Sequence, residues 1–314
     1  MLIYLIQRLG LAVLICIVAM TILFSFVYLI PGDPATMALG PRATPAMKEN
    51  LRVEMMLDRP VPVQLATFFG RVVTGDLGTD VWTKRPVSQI VLEALPYTIV
   101  LAVTGLGWAI LLGVPLGCYS AVRRNSLIDK LTGILSVSAI AMPSFVVSIY
   151  GLLIFAVALQ WLPAIGAGAK GDIGSQILHL ILPAFAIGLG WVGYLARLVR
   201  ASMLEVMNEN HVRTARAFGL PERTIVFRYA LRLAVLPTIT LLGIAFGSLL
   251  SGAVFAEIVF TRPGLGRLVY DSVTNRNFPV VQGAVLTTVF LFVLCTLLAD
   301  LIVAWLDPRV RSSL

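Results

Sequence analysis

The chain has 314 residues, of which 58% are hydrophobic and only 13% charged, with a formal net charge of +8; soluble domains average about 25% charged residues. That excludes a soluble globule and makes the chain a polytopic membrane protein. The positive charge reads as topology and contact with anionic lipid, not as a nucleic-acid surface.

A bilayer-spanning helix needs about 20 apolar residues, and six intervals supply them, predicting an all-α fold with spans at 9–30, 98–122, 131–161, 173–199, 236–259 and 281–304. The first apolar run is longer than a signal-peptide core and runs into Pro31-Gly32-Asp33-Pro34 without a small-residue cleavage site, so it is read as an uncleaved span. Residues 1–8, the loop Arg123 to Lys130, the stretch Arg197 to Arg232 and the tail 305–314 carry 13 of the 24 basic residues, against four in the two short loops of the opposite face. This bias places both termini in the cytoplasm.

The segment 31–97 then faces outward. Pro31-Gly32-Asp33-Pro34 predicts a turn, and Thr44-Pro45 a cap and first turn for a helix around Met47 to Leu57. Gly75-Asp76-Leu77-Gly78 and Lys84-Arg85-Pro86-Val87 bracket a loop before the second span. The segment reads equally as a linking cap or as a docking surface. Gly105, Gly107, Gly113 and Gly117 give the second span a small-residue face for close helix packing, and Pro115 is a place for it to bend. Residues 123–130 are too short to fold alone and read as an inner-surface anchor. The third span carries Met142-Pro143 near its middle and ends at Trp161, an interfacial residue. The glycine-rich loop 166–174 lacks the Gly-Lys-[Ser/Thr] ending of a phosphate loop. His179 in the fourth span reads as hydrogen-bonded structure. The fifth span has Gly243, Gly247 and Gly252 along it, and Thr261 to Arg267 reads as a tight turn.

The longest polar interval between spans on the cytoplasmic side is 200–235. At a 3.6-residue period Leu204, Met207, His211, Ala215 and Phe218 share one face, and Glu209 and Arg213 stand four apart in the favourable order. That pattern predicts one short amphipathic helix, ended by Gly219 in a left-handed conformation and followed by Pro221. Such a helix either lies on lipid headgroups or touches a protein in the cytoplasm.

Chemistry-bearing constellations are few. Glu257 and Asp300 are intramembrane carboxylates and therefore pathway candidates, together with Met142 and Pro143. Cys16, Cys118 and Cys295 lie far apart inside spans, and the two histidines have no ligand company, so neither a disulfide framework nor a metal or cofactor site is expected. No catalytic or Walker A motif is present; uphill transport would draw its energy from another chain or from an ion gradient.

His211-Val-Arg-Thr-Ala-Arg-Ala-Phe-Gly219-Leu220, followed by Arg228, Arg232 and Leu236-Pro237, resembles the cytoplasmic coupling loop of ATP-binding-cassette importer permeases. Arg213-Thr214-Ala215 stands where Glu-Ala-Ala is common, and the Leu-Pro lies farther from Gly219, as in the dipeptide/oligopeptide branch. Further matches run nearly the full length in order, among them Gly75-Asp76-Leu77-Gly78, Gln160-Trp161-Leu162-Pro163, Arg200-Ala201-Ser202-Met203, Pro263-Gly264-Leu265-Gly266-Arg267 and Asp307-Pro308-Arg309.

The resemblance implies a type I importer permease in a bacterial inner membrane, without an ATPase site of its own. Its implied partners are a second homologous permease, two cytoplasmic ATP-binding subunits holding ATP and Mg, and an extracytoplasmic solute-binding protein. It also implies that Leu204, Glu205, Met207, Asn208, His211, Arg213, Thr214, Ala215, Arg216, Ala217, Phe218, Gly219 and Leu220 couple to an ATPase. The expected cargo is a dipeptide or oligopeptide, with glutathione or a nickel complex as the alternatives within the architecture. A stand-alone secondary transporter would show inverted repeats and several intramembrane ionisable residues, and an intramembrane enzyme would need a nucleophile or metal constellation.

Overall fold

The computed structural model describes residues 2–29, 33–40 and 43–306. Within them the chain is helical, with one isolated bridge between Thr79 and Pro86. Five helices are long and apolar enough to cross a membrane, or up to six if a bent pair counts as one span. The chain divides into two compact units, one from Met1–Thr98 with Pro263–Leu294, the other from Ile99–Arg262 with Cys295–Leu314.

The first unit contains α1 (Leu2–Leu29), α2 (Pro34–Leu39), α3 (Pro45–Glu54), α4 (Val61–Val73) and α13 (Leu265–Thr274), with the leading parts of α5 (Val87–Val122) and α14 (Phe278–Leu306). Asp33 caps α2 by accepting the Thr36 N–H at 3.0 Å, and its other oxygen accepts Arg52 Nε of α3 at 3.2 Å. Thr44 caps α3 through the Met47 N–H, with Pro45 in the first turn. These caps satisfy orphan amides at helix starts. Pro31 and Gly32 of the expected turn lie outside the described residues. Phe68 of α4 packs 5.9 Å from Phe24 of α1. The loop before α5 is pinned by Asp80, which accepts Asn277 Nδ2 at 2.5 Å and the Trp82 N–H at 2.9 Å. Thr98 Oγ1 accepts the Leu265 N–H that opens α13.

Three expectations are corrected here. The second long helix starts at Val87 and not at Thr98, because Glu93 breaks the apolar run without breaking the helix; its carboxylate pairs with Arg85 at 2.5 Å. The segment 31–97 holds three helices, not one, and residues after Gly264 form α13 instead of only a turn. Helices α4 and α13 are too short to read as spans and too apolar on one face to read as loops.

The second unit is organised on α8 (Ile173–Val206), with α6 (Leu127–Ala141), α7 (Ser144–Gly151, continuing as a π-helical turn, Leu152–Ala158) and α12 (Leu236–Val259) around it. The expected single span 131–161 is bent by 99° between α6 and α7. Pro143 has no N–H and forces Met142 out of the helical region, and Met142 is accordingly extended, at φ −83° and ψ 119°. Helix α5 runs unbroken through Pro115. It approaches α8 closely: a Cβ at Gly117 would collide with the Ala196 carbonyl, whereas a Cβ at Gly107 meets nothing within 4 Å in this chain. On the other side of α8, a Cβ at Gly193 would lie 2.5 Å from the Ser136 carbonyl oxygen of α6. Trp108 Nε1 donates to the Ala184 carbonyl at 2.8 Å, fixing the register of α5 on α8.

Candidate functional site

The polar stretch after α8 is not one helix. α8 ends at Val206, a turn follows at Met207-Asn208-Glu209, and a separate helix, α9, spans Asn210–Ala217. Asn208 Nδ2 donates to the Leu204 carbonyl at 2.8 Å, the local competition by which a short polar side chain ends helical bonding. Glu209 is extended, at φ −71° and ψ 157°. Leu204 and Glu205 therefore belong to α8, Met207 and Asn208 to the turn, and His211, Arg213, Thr214, Ala215, Arg216 and Ala217 to α9.

The break resets the helical phase and overturns the single expected face. Val212 and Ala215 are the buried residues of α9, while Phe218 is 81% exposed. Val212 and Ala215 pack into one apolar cluster with Val199 and Met203 of α8 and with Ile225 and Val226 of the following turn. His211 Nδ1 lies 3.1 Å from the Glu209 carboxylate, and its Nε2 is buried without a hydrogen-bond partner, so the ring is turned inward.

Phe218, Gly219 and Leu220 close α9. Gly219 has φ +75°, its N–H donates to the Arg216 carbonyl at 2.9 Å, and the Leu220 N–H reaches back to the Ala215 carbonyl at 3.3 Å. This pair of bonds is the Schellman motif. Arg216 Nε donates to Glu222 Oε1 at 2.7 Å across the turn. Hydrogen bonding to Glu222 pushes the Arg216 guanidinium above its already high range. The chain continues as α10 (Glu222–Thr224), a π-helical turn (Ile225–Ala230), α11 (Leu231–Ala234) and α12. The result is a short helix, with an exposed aromatic at its end, held on the ends of two long helices of the same unit.

One polar group of this region escaped the sequence reading. Asp129, in the first turn of α6, is 6% exposed and accepts Arg200 Nε at 2.5 Å and Nη2 at 2.8 Å. Ser120 of α5 and the Asn125 N–H also donate to it. The legible signal was Ser126-x-x-Asp129, a capping-box spacing before an apolar run.

The four pathway candidates are not brought together. Met142 borders a cleft of about 390 Å³ with Ser144, Trp191, Tyr194, Ser248 and Gly252, and Pro143 makes the bend beside it. Glu257 of α12 is fully buried, and Asp300 lies on α14; neither lines that cleft. Among the described residues no three His, Cys, Asp or Glu side chains gather as a metal set.

Residues 113–312 match the family described as binding-protein-dependent transport system inner membrane component, and residues 1–102 match the N-terminal family of the same membrane components. The chain is 40% identical over 312 residues to the glutathione transport system permease protein GsiC of Pectobacterium atrosepticum, covering 99% of both. The proteins of the same name from Salmonella typhimurium and Escherichia coli are 38% and 37% identical over the same length. The fold resembles a chain of the MetNI methionine ABC transporter in its inward-facing conformations, with TM-score 0.58 at 17% identity over 70% of this chain and 97% of that one. The chain therefore belongs to the binding-protein-dependent transport system inner membrane components, and is the multi-pass permease subunit of an ATP-binding-cassette importer in the peptide-type family.

Proposed function

We propose that this permease imports glutathione or peptides of similar size, and that α9 with the Phe218-Gly219-Leu220 turn is the element through which an ATPase drives it. The geometry of α9 carries the second half of the reading. A helix that buries Val212 and Ala215 against α8 and presents Phe218 outward has one face fixed to the permease and one face free for a partner. The glutathione permeases that it resembles at about 40% identity over 99% of their length support the cargo.

The full complex in this reading has a second homologous permease, two ATP-binding subunits and a solute-binding protein that delivers the cargo. The bias of basic residues toward the loops of one face supports a cytoplasmic position for α9 and both termini. ATP and Mg sit on the partner subunits, and this chain has no Walker A sequence. When the ATPases close, α9 is carried with them. Helix α8, with 34 residues, is about 50 Å long, so a rigid-body displacement at its end is felt across the whole bilayer.

Uptake by the complete transporter in proteoliposomes tests the cargo. ATP-dependent accumulation of radiolabelled glutathione, with dipeptide competing and a nickel complex not competing, is the expected result. Accumulation of the nickel complex alone would overturn it.

A further inference from the structure

We infer that the Asp129–Arg200 pair is a positioning clamp that makes α5, α6 and α8 move as one body with α9, so that motion of α9 reaches the bend at Met142-Pro143. The inference rests on the reading of α9 as the coupling element and goes beyond it, to how the motion leaves α9.

The clamp joins three helices. Asp129 comes from α6, Ser120 from α5, and Arg200 from α8, 71 residues away in sequence. Four donors converge on the two carboxylate oxygens: two from the Arg200 fork, the Ser120 hydroxyl and the Asn125 amide. A bidentate fork fixes both distance and angle between the chains that carry it. Ser126 Oγ accepts the Asp129 N–H at 3.2 Å, so the carboxylate's own backbone is held as well.

Its neighbours tie the clamp to α9. Cys118 and Ala121, on either side of Ser120, and Val199 and Met203, around Arg200, belong to the apolar cluster that receives Val212 and Ala215. Farther along, the close approaches at Gly117 and Gly193 hold α8 against α5 and α6. Apolar contacts and glycine approaches resist separation but permit sliding by one side chain. The bidentate pair does not, because a slip strips the buried Asp129 carboxylate, 6% exposed, of its donors, while the Arg200 side chain stays 32% exposed. Stability alone does not require such a pair, since well-packed apolar residues serve equally well there; fixing register is what it adds. Helix α6 carries that register to Ala141, where the chain turns by 99° into α7.

The test uses the complete transporter in proteoliposomes, with reduced glutathione and its binding protein as the probe, and reads uptake and ATP hydrolysis together. Asp129→Asn keeps the shape and removes the charge, Arg200→Lys keeps the charge and removes the fork, and Ser120→Ala removes one donor. The inference expects ATP hydrolysis within about twofold of the parent and uptake per ATP reduced about tenfold or more in Asp129→Asn, as befits loss of a coupling free energy. Arg200→Lys and Ser120→Ala follow with progressively smaller losses. Uptake and hydrolysis falling in equal proportion would reduce the pair to a structural prop and overturn the inference. If Asp129→Asn does not accumulate in the membrane, the two milder variants decide: a graded drop in uptake per ATP supports the clamp, and an unchanged ratio refutes it. An Arg216→Glu control on α9 separates the two readings. A ratio unchanged in that control removes the coupling role of α9, whereas a ratio lowered there and unchanged in the clamp variants removes only the clamp.

Discussion

Gly219 offers the sharpest quantitative test of the coupling turn. Its φ is +75°, and a Cβ placed there meets nothing within 4 Å. Any loss on substitution is therefore a backbone cost and not a collision. An L-residue in this left-handed region costs about 1–2 kcal/mol, less for asparagine, and β-branched residues fare worst. A shift of 1–2 kcal/mol changes a two-state population about 5- to 30-fold, here the population of α9 in its closed Schellman turn. Gly219→Asn, Gly219→Ala and Gly219→Val are expected to lower uptake per ATP in that order, with membrane abundance unchanged. Gly219→Pro, which also deletes the N–H donated to the Arg216 carbonyl, is expected to abolish coupling. Uptake and hydrolysis in proteoliposomes measure the series. Equal uptake per ATP for glycine, alanine and valine would show that the turn does not set the angle of α9, and the reasoning would fail.

Other sites give independent outcomes. Phe218→Ala removes an 81% exposed ring and is expected to leave thermal stability within about 0.5 kcal/mol while lowering the amount of ATPase that copurifies, as read by quantitative mass spectrometry. Gly193→Leu drives a side chain into the Ser136 backbone; overpacking of this kind costs about 1–3 kcal/mol or more, seen as a lower melting temperature in detergent. Burial pushes the Asp80 carboxyl up, but hydrogen bonds from Thr83, the Trp82 amide and Asn277 outweigh it and hold the group below the usual aspartate range. A lowered folded-state value contributes stability above the unfolded value and loses it as pH falls through the folded one. Acid should therefore lower the melting temperature of the parent more than that of Asp80→Asn, and parallel acid profiles would contradict the assignment.

The membrane class and the six apolar runs were legible because a bilayer demands about 20 apolar residues at a stretch. Gly219 was legible because glycine takes a positive φ at no steric cost after a helix end. What stayed hidden depends on contacts between distant segments. Glu93 interrupts the apolar run of α5, yet its helix begins at Val87, since glutamate is a good helix former and its exposed carboxylate there pairs with Arg85. The spacing of Leu204, Met207, His211, Ala215 and Phe218 fits one helical period, and only Asn208 bonding back to Leu204 and the extended Glu209 show that the period is broken. Asp129 sat in a short charged loop and looked like a surface anchor. Its partner is 71 residues away, and no local pattern reveals that distance. Glu257 and Asp300 stood out as intramembrane carboxylates, but the cleft beside Met142 is lined by neither.

The most direct test of the account is site-specific photo-crosslinking from position 218 in native membranes, with Phe218 replaced by benzoyl-phenylalanine and a control label at Ile177, an exposed residue at the opposite end of α8. The account predicts a covalent adduct between this chain and a Walker-A-containing ATPase from position 218, stronger when ATP is added, and none from position 177. Labelling of lipid alone from position 218, with no ATPase adduct in either nucleotide state, would contradict it.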